Sequence, residues 1–150
     1  MTIIQAGPDD IADLAQLLWL DTRAEEPEPP RLEEFAAQLR TWWGDQNTTH
    51  TAYVARSATQ TVGMAWVAIV ARVPRPDTTI RLSGDIQSVF VMPEHRGRGI
   101  GSALIEAAAG HAARAGATLV TVHSGRTAVP LYERLGFASS HRLLQRPPAG

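Results

Sequence analysis

The chain has 150 residues, a formal charge of −1 and no cysteine. That length suits one domain whose core needs no disulfide or metal, and the missing thiols exclude a disulfide framework, a cysteine nucleophile and a Cys-based zinc site. No run of eighteen apolar residues exists, and Met1-Thr2-Ile3-Ile4-Gln5 is not a basic-then-apolar signal segment, so a cytoplasmic protein without a membrane partner is expected.

Charge is unevenly divided. Residues 1–50 hold ten acids and three arginines, and residues 51–150 hold five acids and eleven arginines, so −7 and +6 sum to −1. The basic half carries no arginine run and no interleaved aromatics, so no nucleic-acid partner is expected. The five histidines show no shared spacing, so no metal is expected either.

In chain order, Thr2 to Ala6 reads as a short strand. Gly7-Pro8-Asp9-Asp10 opens a helix, with proline and acids where a first turn favours them, and Ile11, Leu14 and Leu18 continue it at helical spacing. The prolines of Thr22 to Pro30 predict an acidic loop. Leu32, Phe35, Leu39 and Trp42 mark a second helix, stopped near Gly44. Thr51 to Arg56 and Val62 to Arg72 read as antiparallel strands joined by a polar turn, and Val73 to Asp77 as the next turn. A strand through Asp85 to Met92, a helix from Ile100 to about Ala115 and a β-branched strand over Ala117 to His123 follow. Thr127 is the expected N-cap of a helix through Leu135, with Gly136 at its left-handed stop. Phe137 to Leu144 would be a last strand. The order β-α-α-β-β-β-α-β-α-β is an α/β layer fold, a mixed sheet flanked by helices, in one domain over residues 1–150.

The stretch Val89 to Gly101 carries the chemistry. A strand ends at Met92-Pro93-Glu94, Arg96-Gly97-Arg98-Gly99-Ile100-Gly101 follows, and a helix begins. Such a junction aims free backbone N–H groups and a helix dipole at an anion, and a diphosphate is the natural guest. The NTPase phosphate loop needs Gly-Lys-Ser/Thr, and the chain has no lysine. The dinucleotide fingerprint needs an acid at the end of the next strand, and Thr118 to His123 has none.

A third pattern fits: Arg96-x-x-Gly99-x-Gly101 after a strand ending Val-x-Pro resembles the acyl-coenzyme A loop of the GNAT superfamily of N-acetyltransferases. Ala128-Val129-Pro130-Leu131-Tyr132-Glu133-Arg134-Leu135-Gly136-Phe137 resembles the second signature of that family. The resemblance covers roughly residues 80 to 140 and implies an acetyl-CoA cosubstrate and an acceptor that is a small-molecule or peptide amine. It implies cofactor contacts from the backbone of Val89, Phe90 and Val91, with the Val91 N–H on the thioester oxygen, and from Arg96, Gly97, Arg98, Gly99, Ile100, Gly101 and Ser102. Tyr132 falls where many members protonate the leaving thiolate, and Asp85 where some place a general base, with Gln87 and Ser88 beside it for an ordered water. His123 and solvent are alternative bases. Gly125 stands where many members carry a cofactor-contacting asparagine. That departure keeps open a non-catalytic acyl-CoA-binding or regulatory domain on the same fold. The acidic loop (Glu25, Glu26, Glu28) lines the acceptor mouth by resemblance and favours a cationic acceptor. A homodimer is left open.

Overall fold

The computed structural model describes residues 1–149. Five strands form, β1 (Thr2–Gln5), β2 (His50–Arg56), β3 (Thr61–Arg72), β4 (Arg81–Val91) and β5 (Ala117–Val122), and the continuous apolar runs of β2 and β3 are buried on both faces. Helices α1 (Ile11–Thr22) and α2 (Pro29–Gln46) lie between β1 and β2, α3 (Ile100–Ala115) between β4 and β5, and α4 (Val129–Arg134) follows β5. The strands stand in chain order, antiparallel from β1 to β4, with β5 parallel to β4 because α3 carries the chain back across the sheet.

Alternation splits the core between the two faces. Tyr53, Ala65, Val67, Ile86 and Val91 point to Leu104, Ile105, Ala108 and Ala112 of α3. Ala52, Val54, Met64, Trp66 and Phe90 point to Leu14, Leu17, Leu39 and Trp43 of α1 and α2. The alanines of α3 let it come close. A Cβ built on Gly84 of β4 would lie 2.6 Å from the Cβ of Ala112. Helix α1 instead crosses the strand ends: Asp10 pairs with Arg56 at the end of β2, and Thr61 at the start of β3 donates to Asp13 at 2.8 Å.

Four expectations are corrected. Helix α2 begins at Pro29 with both prolines in its first turn, where their missing N–H groups cost nothing, and it runs through Gly44 to Gln46. The loop is therefore 23–28. On α2 the residue that packs inward is Trp43, while Trp42 stays 40% exposed. Thr127 lies inside a 3₁₀ turn, Arg126–Ala128, and caps nothing. No strand forms over Phe137 to Leu144, because Ser139 to Arg142 is four polar residues in a row and offers no apolar face. Gly136 does end α4 at φ 93°, with the Phe137 N–H returning to the Tyr132 carbonyl at 3.0 Å.

Candidate functional site

Strand β4 is paired differently along its two edges. Its inner edge follows β3 to Val91, with an extra residue, Gln87, where Trp66 faces Ser88 and Val67 faces Ile86. Its outer edge pairs with β5 only from Leu82 to Ile86. Beyond that point β5 has ended, and residues 87–91 border an open cleft. The Met92 N–H donates back to Val62 at 2.9 Å. Because backbone direction alternates along a strand, Phe90 also turns its polar groups toward β3, and Val89 and Val91 turn theirs into the cleft.

The cleft runs up to the glycine-rich turn. Gly97 and Gly99 sit at φ 76° and 81°, left-handed values that favour glycine, and a Cβ on either would meet nothing within 4 Å. Gly99 is the N-cap of α3 without a side-chain cap, so the first-turn N–H groups at Ile100, Gly101 and Ser102 have no helical acceptor. The two arginines differ. Arg96 folds back: its Nε donates to the Val91 carbonyl at 2.8 Å and its guanidinium lies 5.4 Å from the Phe90 ring centre. Arg98 is exposed.

Tyr132 is 8% exposed and packs edge-on against Phe137, with 5.4 Å between ring centres. Its hydroxyl has no hydrogen-bond partner among the described residues. Burial, and then the negative charge of Asp21, push the phenol above its ordinary pKa. Asp21 is a group the sequence reading missed. It stands in the last turn of α1, where burial raises its carboxyl and the charge of Arg96 opposes that rise. No motif marks it, since only the path of α1 across the strand ends brings it here.

Asp85 lies on the α1/α2 face, paired in register with Ala68. Both of its oxygens are engaged: Thr121 donates to one at 3.0 Å and Gln87 to the other at 3.2 Å. Ser88 is half-buried on the same face. His123, just past β5, is exposed. Beside Gly125, the Ser124 hydroxyl donates to the Gly125 carbonyl at 2.7 Å. The acidic loop is anchored at both ends, because Arg23 and Arg31 stack on Trp19 at 4.9 and 5.2 Å. A cavity of about 320 Å³ bounded by Gln5, Ile11, Trp43 and His50 lies at the opposite end of β2 from this cleft. It brings together no acid–base pair suited to acyl transfer.

A parallel β4–β5 pair that parts above a glycine turn, with a tyrosine on the following helix, defines an acyltransferase-type α/β fold. Residues 11–137 match the Acetyltransferase (GNAT) family, and the chain belongs to it. An uncharacterized N-acetyltransferase of Methanocaldococcus jannaschii is 43% identical over 56 residues, 35% of this chain. The chain spans only 25% of that relative's length. A GCN5-related N-acetyltransferase of Ralstonia eutropha superposes with a TM-score of 0.75 at 22% identity, covering 99% of each chain. A predicted acetyltransferase of Clostridium acetobutylicum, solved with acetyl-CoA, superposes with a TM-score of 0.74 at 18% identity, covering 97% of this chain and 95% of that one.

Proposed function

We propose that residues 1–150 form one N-acetyltransferase domain that moves an acetyl group from acetyl-CoA to a primary amine by direct attack. The observation that carries this is the open outer edge of β4 beside the left-handed glycine turn. The backbone groups of Val89 and the Val91 N–H are free to pair with a pantetheine chain as a further strand would, while the Val91 carbonyl is held by Arg96, and the amides from Gly97 to Ser102 are free for a diphosphate. Arg98 adds charge there. Arg96 acts by bracing the strand end, which fixes Val91 N–H toward the thioester oxygen.

In the reaction the amine nitrogen attacks the thioester carbon and the carbon–sulfur bond breaks. Tyr132 gives the sulfur its proton, the nitrogen sheds one to solvent as the amide forms, and the phenol recovers its own from solvent. The ammonium must first lose a proton. Because both Asp85 oxygens already accept hydrogen bonds, Asp85 serves as base through a water held with Ser88. The acidic loop steers a cationic amine, as a small molecule or a peptide end, toward the cleft.

A second reading, an acyl-CoA-binding domain without turnover, is favoured by Gly125, whose neighbour Ser124 is turned away to a backbone carbonyl. Calorimetry with acetyl-CoA and a thiol-release assay over an amine panel decide between them. Turnover above the rate of spontaneous aminolysis supports the enzyme. Binding without turnover across small amines, polyamines and peptide N-termini supports the other reading. No binding defeats both.

A further inference from the structure

The far end of the β3–β4 hairpin concentrates like charge. Arg72 and Arg81 are register partners on adjacent antiparallel strands, and equal charges directly opposite each other destabilise a hairpin. Arg75 follows in the turn, which an Arg75–Thr78 bridge closes around Asp77 at φ 67°. Arg75 and Arg72 both press their charge on Arg81. Among the described residues, none of the three guanidiniums has a carboxylate within 4.0 Å, the one ion pair being Asp10 with Arg56. Arg81 spends a donor on the Val73 carbonyl instead. Beside these charges Val73 and Ile80 stand 79% and 82% exposed, and Val70 and Leu119 are exposed on the neighbouring sheet.

The complementary surface is on the same chain but out of reach. Glu25, Glu26 and Glu28 in the α1–α2 loop and Glu33 and Glu34 at the start of α2 are all exposed. The loop leaves α1 just after Asp21, which is in charge range of Arg96, past the Val91 end of β4. Arg81 begins that strand. Eleven residues separate the two ends, about 33 Å at the usual rise.

We propose that the hairpin tip from Arg72 to Arg81 docks on the acidic α1–α2 connection of a second copy of this chain. A two-fold axis lets both hairpins engage at once, since each copy carries both patches. Carboxylates on the partner relieve the Arg72–Arg81 repulsion, and Val73 and Ile80 gain an apolar contact. The tip has no aromatic side chain on which a base could stack, which disfavours a nucleic acid. The tip contributes +2 (three arginines and Asp77) against −4 for residues 21–34 (six acids and two arginines), so about −2 remains. The acceptor mouth thus stays acidic, and each mouth is walled partly by the other copy. Dimerisation rests on these charges and is measured without catalysis.

The test is sedimentation velocity on the full chain over a concentration series at low and high salt. The expected result is a dimer whose dissociation constant rises at least tenfold as salt rises. Arg72→Glu with Arg75→Glu leaves the Arg81–Val73 bond intact and turns the repulsive cross-strand pair into an attractive one. That variant should melt higher as a monomer yet lose dimerisation. A Glu25→Arg, Glu26→Arg, Glu28→Arg variant should also be monomeric, and an equimolar mixture of the two should form heterodimers. A wild-type chain monomeric at every concentration overturns the proposal, as do dimers indifferent to both variants. Binding of the monomer to anionic vesicles or duplex DNA through these arginines would overturn it in favour of that partner.

Discussion

Replacing Tyr132 with phenylalanine separates packing from proton transfer. The ring stands 5.4 Å from Phe137 at 83°, an edge-to-face contact worth about 0.5–1.5 kcal/mol that phenylalanine preserves. Among the described residues the lost hydroxyl has no protein partner and is not one of the buried unpaired side-chain polar atoms, which are the indole nitrogens of Trp19 and Trp66. Folding stability should therefore hold, and acetyl-CoA affinity should stay near wild type. Loss of a general acid lowers the rate about 10²- to 10⁴-fold, or about 2.7–5.4 kcal/mol of barrier. Charge develops on sulfur only in the transition state, so kcat and kcat/KM should fall together. The assay is thiol release under saturating acetyl-CoA, beside calorimetry and a melting curve. Burial, followed by the charge of Asp21, holds the phenol above 10. The wild-type alkaline limb should lie above that value, and Asp21→Asn should bring it down. A folded Tyr132→Phe protein with near-normal kcat would refute the proton-donor role and leave the tyrosine a packing residue.

Gly99→Glu should abolish acetyl-CoA binding by calorimetry while the protein stays folded. Its Cβ meets nothing within 4 Å, so folding bears only the left-handed backbone cost of about 1–2 kcal/mol. Asp85→Asn should lose activity at neutral pH and regain it at high pH, where the amine is already deprotonated; an unaltered pH profile would leave His123 or solvent as the base. Changing Glu25, Glu26 and Glu28 to glutamine should lower kcat/KM for cationic amines at low salt and flatten its salt dependence. Burial, then the charge of Arg114, hold the His111 imidazole below its ordinary pKa of 6.5. The unfolded chain therefore binds a proton that the folded chain resists, so stability should fall as pH drops below about 6.5. His111→Asn should flatten that fall in urea titrations.

Much of this was legible in the residues. The strand, glycine turn and helix around Arg96 to Ser102 could be read because each carries its own local signal: a proline end, left-handed glycines, an alanine-rich run. Where Asp21 sits could not be read, since its approach to Tyr132 depends on how α1 crosses the sheet. Trp42 and Trp43 show the same limit, because adjacent indoles on a helix differ by 100° of rotation and a period-3.6 stripe drawn through Leu32, Phe35 and Leu39 admits either. The tail failed differently: Phe137 to Leu144 follows a helix stop as a last strand would, but the polar run Ser139 to Arg142 leaves nothing to bury. Arg96 was read as charge for a phosphate. Its aromatic and carbonyl contacts require knowing that Phe90 and Val91 lie beneath it.

The half-paired edge of β4 has a consequence outside catalysis. On the proposed reading, acetyl-CoA finishes a sheet that the polypeptide leaves incomplete, so the ligand belongs to the folding equilibrium as well as to turnover. At a hundredfold excess over its dissociation constant it would add about 2.7 kcal/mol. Amide exchange at Val89 and Val91 would slow in step. The lifetime of the protein in a cell would then follow the acyl-CoA supply, with starved cells holding the form more readily opened and degraded.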